Sequence, residues 1–120
     1  MLTNFDELKT LASREMNKSF PAEDKKCGVA LVAKNGKIFT GHRVAFSDGQ
    51  LLDAVDMALY AALEDGQTKF LAAAICGNDA PTKAALCRLA AFSDMMVSLN
   101  IGAVSADTSL KKLLLQLGEK

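Results

Sequence analysis

The chain has 120 residues, half of them apolar and 23% charged, enough for one domain with a real core and too apolar for disorder. Lys plus Arg numbers 14 and Asp plus Glu 14, so the basic excess that a nucleic-acid partner selects is missing. No basic segment followed by an apolar run opens the chain, and no apolar stretch of about 18 residues occurs, which predicts a soluble, cytoplasmic protein without signal peptide or membrane span.

Residues 2–17 read as a helix, with Leu2, Phe5, Leu8, Leu11 and Ala12 at three- and four-residue spacing, Thr3 or Asn4 as cap and Pro21 closing the segment. CGVALVA (27–33) is a buried strand. Asn35-Gly36 is a strong hairpin signal, and 38–44 is the antiparallel return strand. Ser47-Asp48-Gly49 is a turn. The helix LLDAVDMALYAALEDG (51–66) follows, with Gly66 as its C-terminal cap. FLAAAIC (70–76) is a third strand, and Pro81 or Thr82 starts a helix through TKAALCRLAAF. MMVSL (95–99) is a fourth strand, a short fifth lies near 103–105, and Asp107-Thr108-Ser109 caps a last helix ended by Gly118. After the hairpin, helices alternate with strands, which predicts a mixed sheet of about five strands between helical layers in a single α/β domain, 1–120.

The three cysteines, Cys27, Cys76 and Cys87, form no C-x-x-C pair and fit reduced thiols, Cys27 and Cys76 as core residues. With one histidine, His42, a zinc site of several Cys and His ligands is hard to assemble. The doublets Lys25–Lys26 and Lys111–Lys112 read as solvated surface.

Several stretches resemble the cytidine deaminase family, including blasticidin-S deaminase-like members. GVALVAKNGKIFTG (28–41) is similar to the family's first hairpin. DAVDMALYAALEDG (53–66) is similar to the helix that opens Cys-Ala-Glu or His-Ala-Glu. FLAAAI (70–75) resembles the next strand, ALCRLAAF (85–92) the helix opened by Pro-Cys-x-x-Cys-Arg, and DTSLKKLLLQL (107–117) the terminal helix. The resemblance implies a three-layer α-β-α fold and assembly as a homodimer or homotetramer.

It also implies a chemistry. Three Cys or His ligands hold zinc, which lowers the pKa of bound water from about 15.7 toward about 7. A glutamate that is not a ligand moves protons during attack on the ring. Carried over residue by residue, the ligand positions fall on Asp53, Ala84 and Cys87, and the glutamate on Val55. The ribose-binding Asn and Glu fall on Arg43 and Ala45, and the stacking aromatic on Lys25. Only Cys87 keeps a family ligand type. The expected protein is therefore a deaminase-like homologue without zinc or catalytic residues, a structural or ligand-binding protein. Lys25 and Arg43 would select the anionic group of a nucleoside-like ligand in the vestigial pocket. The alternative is a zinc-dependent (deoxy)cytidine or blasticidin-S-type deaminase using Asp53, Cys87 and His42 as substituted ligands.

The plainer roles are these. Asp53 caps a helix, a stabilising place for a carboxylate by about 0.3–1 kcal/mol, and Cys87 packs as a small hydrophobe. Asp56 lies about 100° around the helix from Val55 and reads as surface charge. His42 reads as an edge-strand histidine with no visible catalytic partner. The 51–66 helix is apolar nearly all round, with Leu51, Val55, Ala58, Leu59 and Ala62 in one stripe, so it must be covered on a second side. Self-association would cover it, with Met95, Met96 and Phe92 adding to the surface; otherwise the first and last helices would do so.

Overall fold

The computed structural model describes residues 5–20, 25–92, 94–102 and 104–118. The elements run α1 (Phe5–Met16), β1 (Cys27–Ala33), β2 (Ile38–His42), β3 (Val44–Ala45), β4 (Leu51–Leu52), α2 (Ala54–Glu64), β5 (Phe70–Gly77), α3 (Lys83–Ala90), β6 (Met96–Ile101), β7 (Val104–Ser109) and α4 (Leu110–Gly118). The expected caps Thr3 and Asn4 and the expected stop Pro21 lie outside the described residues.

Five strands form one sheet in the order β2-β1-β5-β6-β7. The hairpin turns through Asn35 and Gly36, whose φ of 92° is natural only for glycine. β1 then pairs antiparallel with β2 and with β5, β5 parallel with β6 through the α3 crossover, and β6 antiparallel with β7. The sheet is thus mixed, with α1 on one face and α2, α3 and α4 on the other, as the three-layer expectation required. β1 is buried at all seven positions because both faces are covered.

Alternation sorts the core into two halves. Val29, Leu31, Ala73, Ile75 and Val97 pack beneath Val55, Ala58, Leu59, Leu86, Leu89 and Leu110. Ala30, Val32, Ala74 and Cys76 pack against Leu8 and Ala12 of α1. Two glycines let the helices approach. A Cβ on Gly28 would run into the backbone of α1 at Ala12 and Met16, and one on Gly41 into the backbone of α2 at Ala54 and Ala58.

Three expectations are corrected. The central helix begins at Ala54, not Leu51. Leu51 and Leu52 instead pair with Ala45 and Val44 in a two-stranded sheet across the Asp48-Gly49 turn, because two β-compatible leucines so close to a tight turn close a ladder more readily than a helix. Asp107 and Thr108 lie in β7, a full strand of six residues; of the expected caps only Ser109 serves α4, accepting from the Lys112 N–H at 3.2 Å. Met95 is core, and Met96 shares a row with Ala72 and Val32 on the α1 face of the sheet, opposite α2. Neither methionine extends the outer surface of α2.

α2 ends as expected. Gly66, at φ 83°, lets its N–H bond Leu63 O and the Gln67 N–H bond Ala62 O, the paired bonds of a Schellman cap. α2 packs on β1, β2 and α3, so neither α1 nor α4 covers its outer side. Tyr60 is 65% exposed there, with Leu52 and the apolar edges of Leu59 and Leu63 lining a shallow depression beside Asp56 and Arg88.

Candidate functional site

The N-termini of α2 and α3 meet above the carboxyl end of β5. β5 leaves the sheet at Gly77, and the next loop is pinned to the start of β1: the Asn78 and Asp79 N–H groups both donate to Lys26 O, while the Lys26 N–H donates to Asn78 Oδ1 at 2.6 Å. This anchoring delivers Thr82 beside Asp53.

Asp53 is 6% exposed and has one bond to each helix start. Its Oδ1 accepts from the Val55 N–H of α2 at 2.9 Å, and its Oδ2 from the Thr82 N–H, also at 2.9 Å. The Thr82 hydroxyl in turn accepts from the Ala85 N–H at 3.1 Å and caps α3. A carboxylate between two helix N-termini is favoured by both dipoles. Asp53 therefore caps α2, as expected, and also joins α2 to α3, which its sequence position did not show.

The other positions carry no reactive pair. Val55, where the resemblance would place the proton-moving glutamate, is 1% exposed and belongs to the core. Ala84 has no donor atom and is exposed. Cys87 is exposed on α3 rather than packed as a small hydrophobe, since the buried face of α3 is taken by Ala85, Leu86 and Leu89. Asp56 forms a bidentate pair with Arg88, at 2.8 and 2.6 Å, in keeping with the expected surface charge. The pair raises the pKa of the Arg88 guanidinium.

Lys25 and Arg43 come together, through Arg43. Its guanidinium Nη1 donates to the Lys25 carbonyl at 3.1 Å, and its Nε, buried and without a hydrogen bond, faces Asp79 at 3.8 Å. Lys25 itself is exposed. Cys27 lies beneath this cluster, and burial, helped by Asp53 and Asp79, pushes its thiol up to about 12. Its backbone is clamped by Ser19, whose hydroxyl accepts from Cys27 N–H and donates to Cys27 O.

His42 stands apart from Asp53 and Cys87. It shares a row with Gly28, on which α1 rests, so its ring lies on the face of the sheet opposite α2 and α3. There its Nδ1 pairs with Glu15 Oε1 at 3.1 Å, and Glu15 Oε2 accepts from Lys18 at 2.8 Å. Glu15 is 8% exposed. Burial pushes its carboxyl up, but the bonds from Lys18 and His42 outweigh it and hold the group below 4.5. His42 is thus an edge-strand residue as expected, but a partnered one. The signal for Glu15 was its position seven residues after Leu8, on the buried stripe of α1.

These residues do not fit a zinc ion. Ala84 offers nothing, Cys87 and His42 stand on different faces, and Asp53, each of whose oxygens already accepts a backbone N–H, is left without two further ligands. Among the described residues no three His, Cys, Asp or Glu side chains stand together as a metal-binding group.

No protein-family model matches this sequence, and no curated protein matches it. Solved structures do. The cytidine deaminase of Burkholderia pseudomallei superposes with a TM-score of 0.79 at 24% identity, covering 92% of this chain and 96% of that one. The cytidine deaminase of Mycobacterium leprae gives 0.78 at 19% identity, over 94% and 98% of the two chains. That of Bacillus anthracis gives 0.72 at 15% identity, over 92% and 86%. The chain has the cytidine deaminase fold over nearly its whole described length.

Proposed function

We propose that this protein is a non-catalytic homologue of the cytidine deaminases: a self-associating subunit that keeps the fold without zinc and without the proton-moving glutamate. The observation that carries the reading is Asp53. Both of its oxygens accept from backbone N–H groups at 2.9 Å, so the junction of α2 and α3 is already closed by hydrogen bonds. Val55 supports it. A carboxylate at that buried position, with neither metal nor substrate to pair it, would cost several kcal/mol, and valine removes that cost.

A structural role fits better than ligand binding at the former pocket. Arg43, one of the two cations available to an anionic ligand, is turned onto the Lys25 carbonyl and Asp79, so a nucleoside-like ligand would first have to displace it. Self-association is supported by the uncovered side of α2, where Tyr60 is exposed beside Leu52 of β4, Leu59 and Leu63. Isolated apolar residues are ordinary on surfaces, but a contiguous group from one helix and the strand before it favours a partner.

The test is elemental analysis of the purified protein together with ammonia release from cytidine, deoxycytidine and blasticidin S. The expected result is substoichiometric zinc and no turnover. One zinc per chain, or turnover of any of the three, would overturn the proposal. Light scattering on the wild type and a Tyr60→Lys variant tests assembly: a dimer or larger is expected to fall to monomer, and a monomeric wild type would remove the self-associating part.

A further inference from the structure

The two faces of the sheet are unequally covered. α2, α3 and α4 share one, whereas α1 alone lies on the other, over β1, β5 and β2. The register continues that second face outward. Cys76, Asn100 and Ser105 form one row across β5, β6 and β7, and Ala74, Ser98 and Asp107 the next. Ser98 on this face is buried, while Asn100 is half-buried and Ser105 and Asp107 are exposed, so toward β7 the sheet carries on as a polar shelf.

A groove of about 440 Å³ runs along the flank of α1, walled by Lys9, Thr10, Ser13 and Arg14 and floored by Cys76 and Asn100. It is shallow and open to solvent along its length. Its lining holds donors and positive charge and no carboxylate. Four other cations of the chain, Lys18, Lys37, Arg43 and Arg88, each face a carboxylate. Among the described residues Lys9 and Arg14 do not, as is true of most of the other lysines; what sets these two apart is that both line one groove. Asn100 is held in place, its Nδ2 donating to Ser98 Oγ at 3.2 Å and its Oδ1 accepting from Ser105 Oγ at 2.9 Å. One hydrogen of its amide remains for a ligand. Further out on the same shelf, Asp107 on β7 is exposed and suits hydroxyl groups rather than an anion.

We propose that this groove binds a small phosphomonoester, with the phosphate between Lys9 and Arg14 and the hydroxyl-bearing part along Asn100 toward β7. Charge selects the phosphate, since lysine and arginine donate their strongest bonds to such oxygens. The shelf gives the organic part a surface that a bare anion does not need. The site lies across the sheet from the α2–α3 junction, so it stands or falls independently of the proposed loss of zinc.

Calorimetric titration with ribose 5-phosphate and with cytidine 5′-monophosphate tests it, with ribose, cytidine and inorganic phosphate as comparisons. The phosphomonoesters are expected to bind, more weakly as salt is added. A Lys9→Gln/Arg14→Gln double variant is expected to raise Kd roughly tenfold or more, and Lys111→Gln on α4 to leave it unchanged. Circular dichroism confirms that the variants fold; Asn100→Ala, which spares both cations, is the second variant and should also weaken binding. Absence of ester binding, equal binding of inorganic phosphate, or an affinity unmoved by the double variant would overturn the assignment.

Discussion

Replacing Asp53 by alanine tests the claim that this side chain joins two helices. Loss of the α2 cap alone costs about 1 kcal/mol, within ~0.5–2. The Thr82 N–H, part-buried and bonded to the second oxygen at 2.9 Å, would also be orphaned, and losing a charged acceptor costs a further ~1.5–3 kcal/mol. The sum is about 3 kcal/mol, and at ~4 °C per kcal/mol for a domain of this size Tm should fall by about 12 °C. Asp53→Asn keeps an oxygen for Val55 but sets an amide donor against the Thr82 N–H, so it should lose roughly half as much. Urea unfolding with and without EDTA is the assay, and EDTA should leave the wild type unchanged. A loss below ~1 kcal/mol in Asp53→Ala, no more than an isolated cap is worth, would refute the two-helix role. So would a wild type destabilised by EDTA to the level of the variant.

Gly41→Ala places a methyl group against the backbone of α2 at Ala54 and Ala58; because backbone cannot rotate away, destabilisation of at least ~1–3 kcal/mol is expected by chemical unfolding. In thiol titration at mildly alkaline pH, Cys87 should react quickly and Cys27, buried and pushed up to about 12, should not react until the chain is denatured. Glu15 sets an acid limit. Its carboxyl is held below 4.5 in the folded chain, so its contribution is fully present above the ordinary carboxylate value and is lost as pH falls through the lower folded one. The stability gap between wild type and Glu15→Gln, followed by urea unfolding, should therefore be present above the ordinary carboxylate value and close as pH falls below it; a gap that persists at the acid end would contradict the pairing with Lys18 and His42.

Most of the fold was legible because its signals are local. The run CGVALVA gave β1 to the residue, Asn35-Gly36 the hairpin, Gly66 the end of α2 and the pair Pro81 and Thr82 the start of α3, of which Thr82 is the cap. Each is a preference of a few adjacent residues, and each survives in the assembled chain. The boundary at Leu51 was missed because two leucines suit a strand as well as a helix. The choice fell to a ladder with Val44 and Ala45, six and more residues away. The length of β7 was missed for the same reason, since Asp107 and Thr108 look like cap residues until β6 lies beside them.

The candidate site divides the same way. The sequence alone determined that Ala84 and Val55, where the resemblance would place a metal ligand and the glutamate, have no group that could bind a metal or carry a proton. Only the tertiary structure decided what the remaining groups do. Asp53 meets Thr82 across 29 residues and Glu15 meets His42 across 27, Arg43 turns to Asp79, and Met95 and Met96 part to opposite sides of the sheet. Such partners are set by strand register, by the crossover that brings two helix starts together and by the face each residue takes, and no spacing within a single element encodes them.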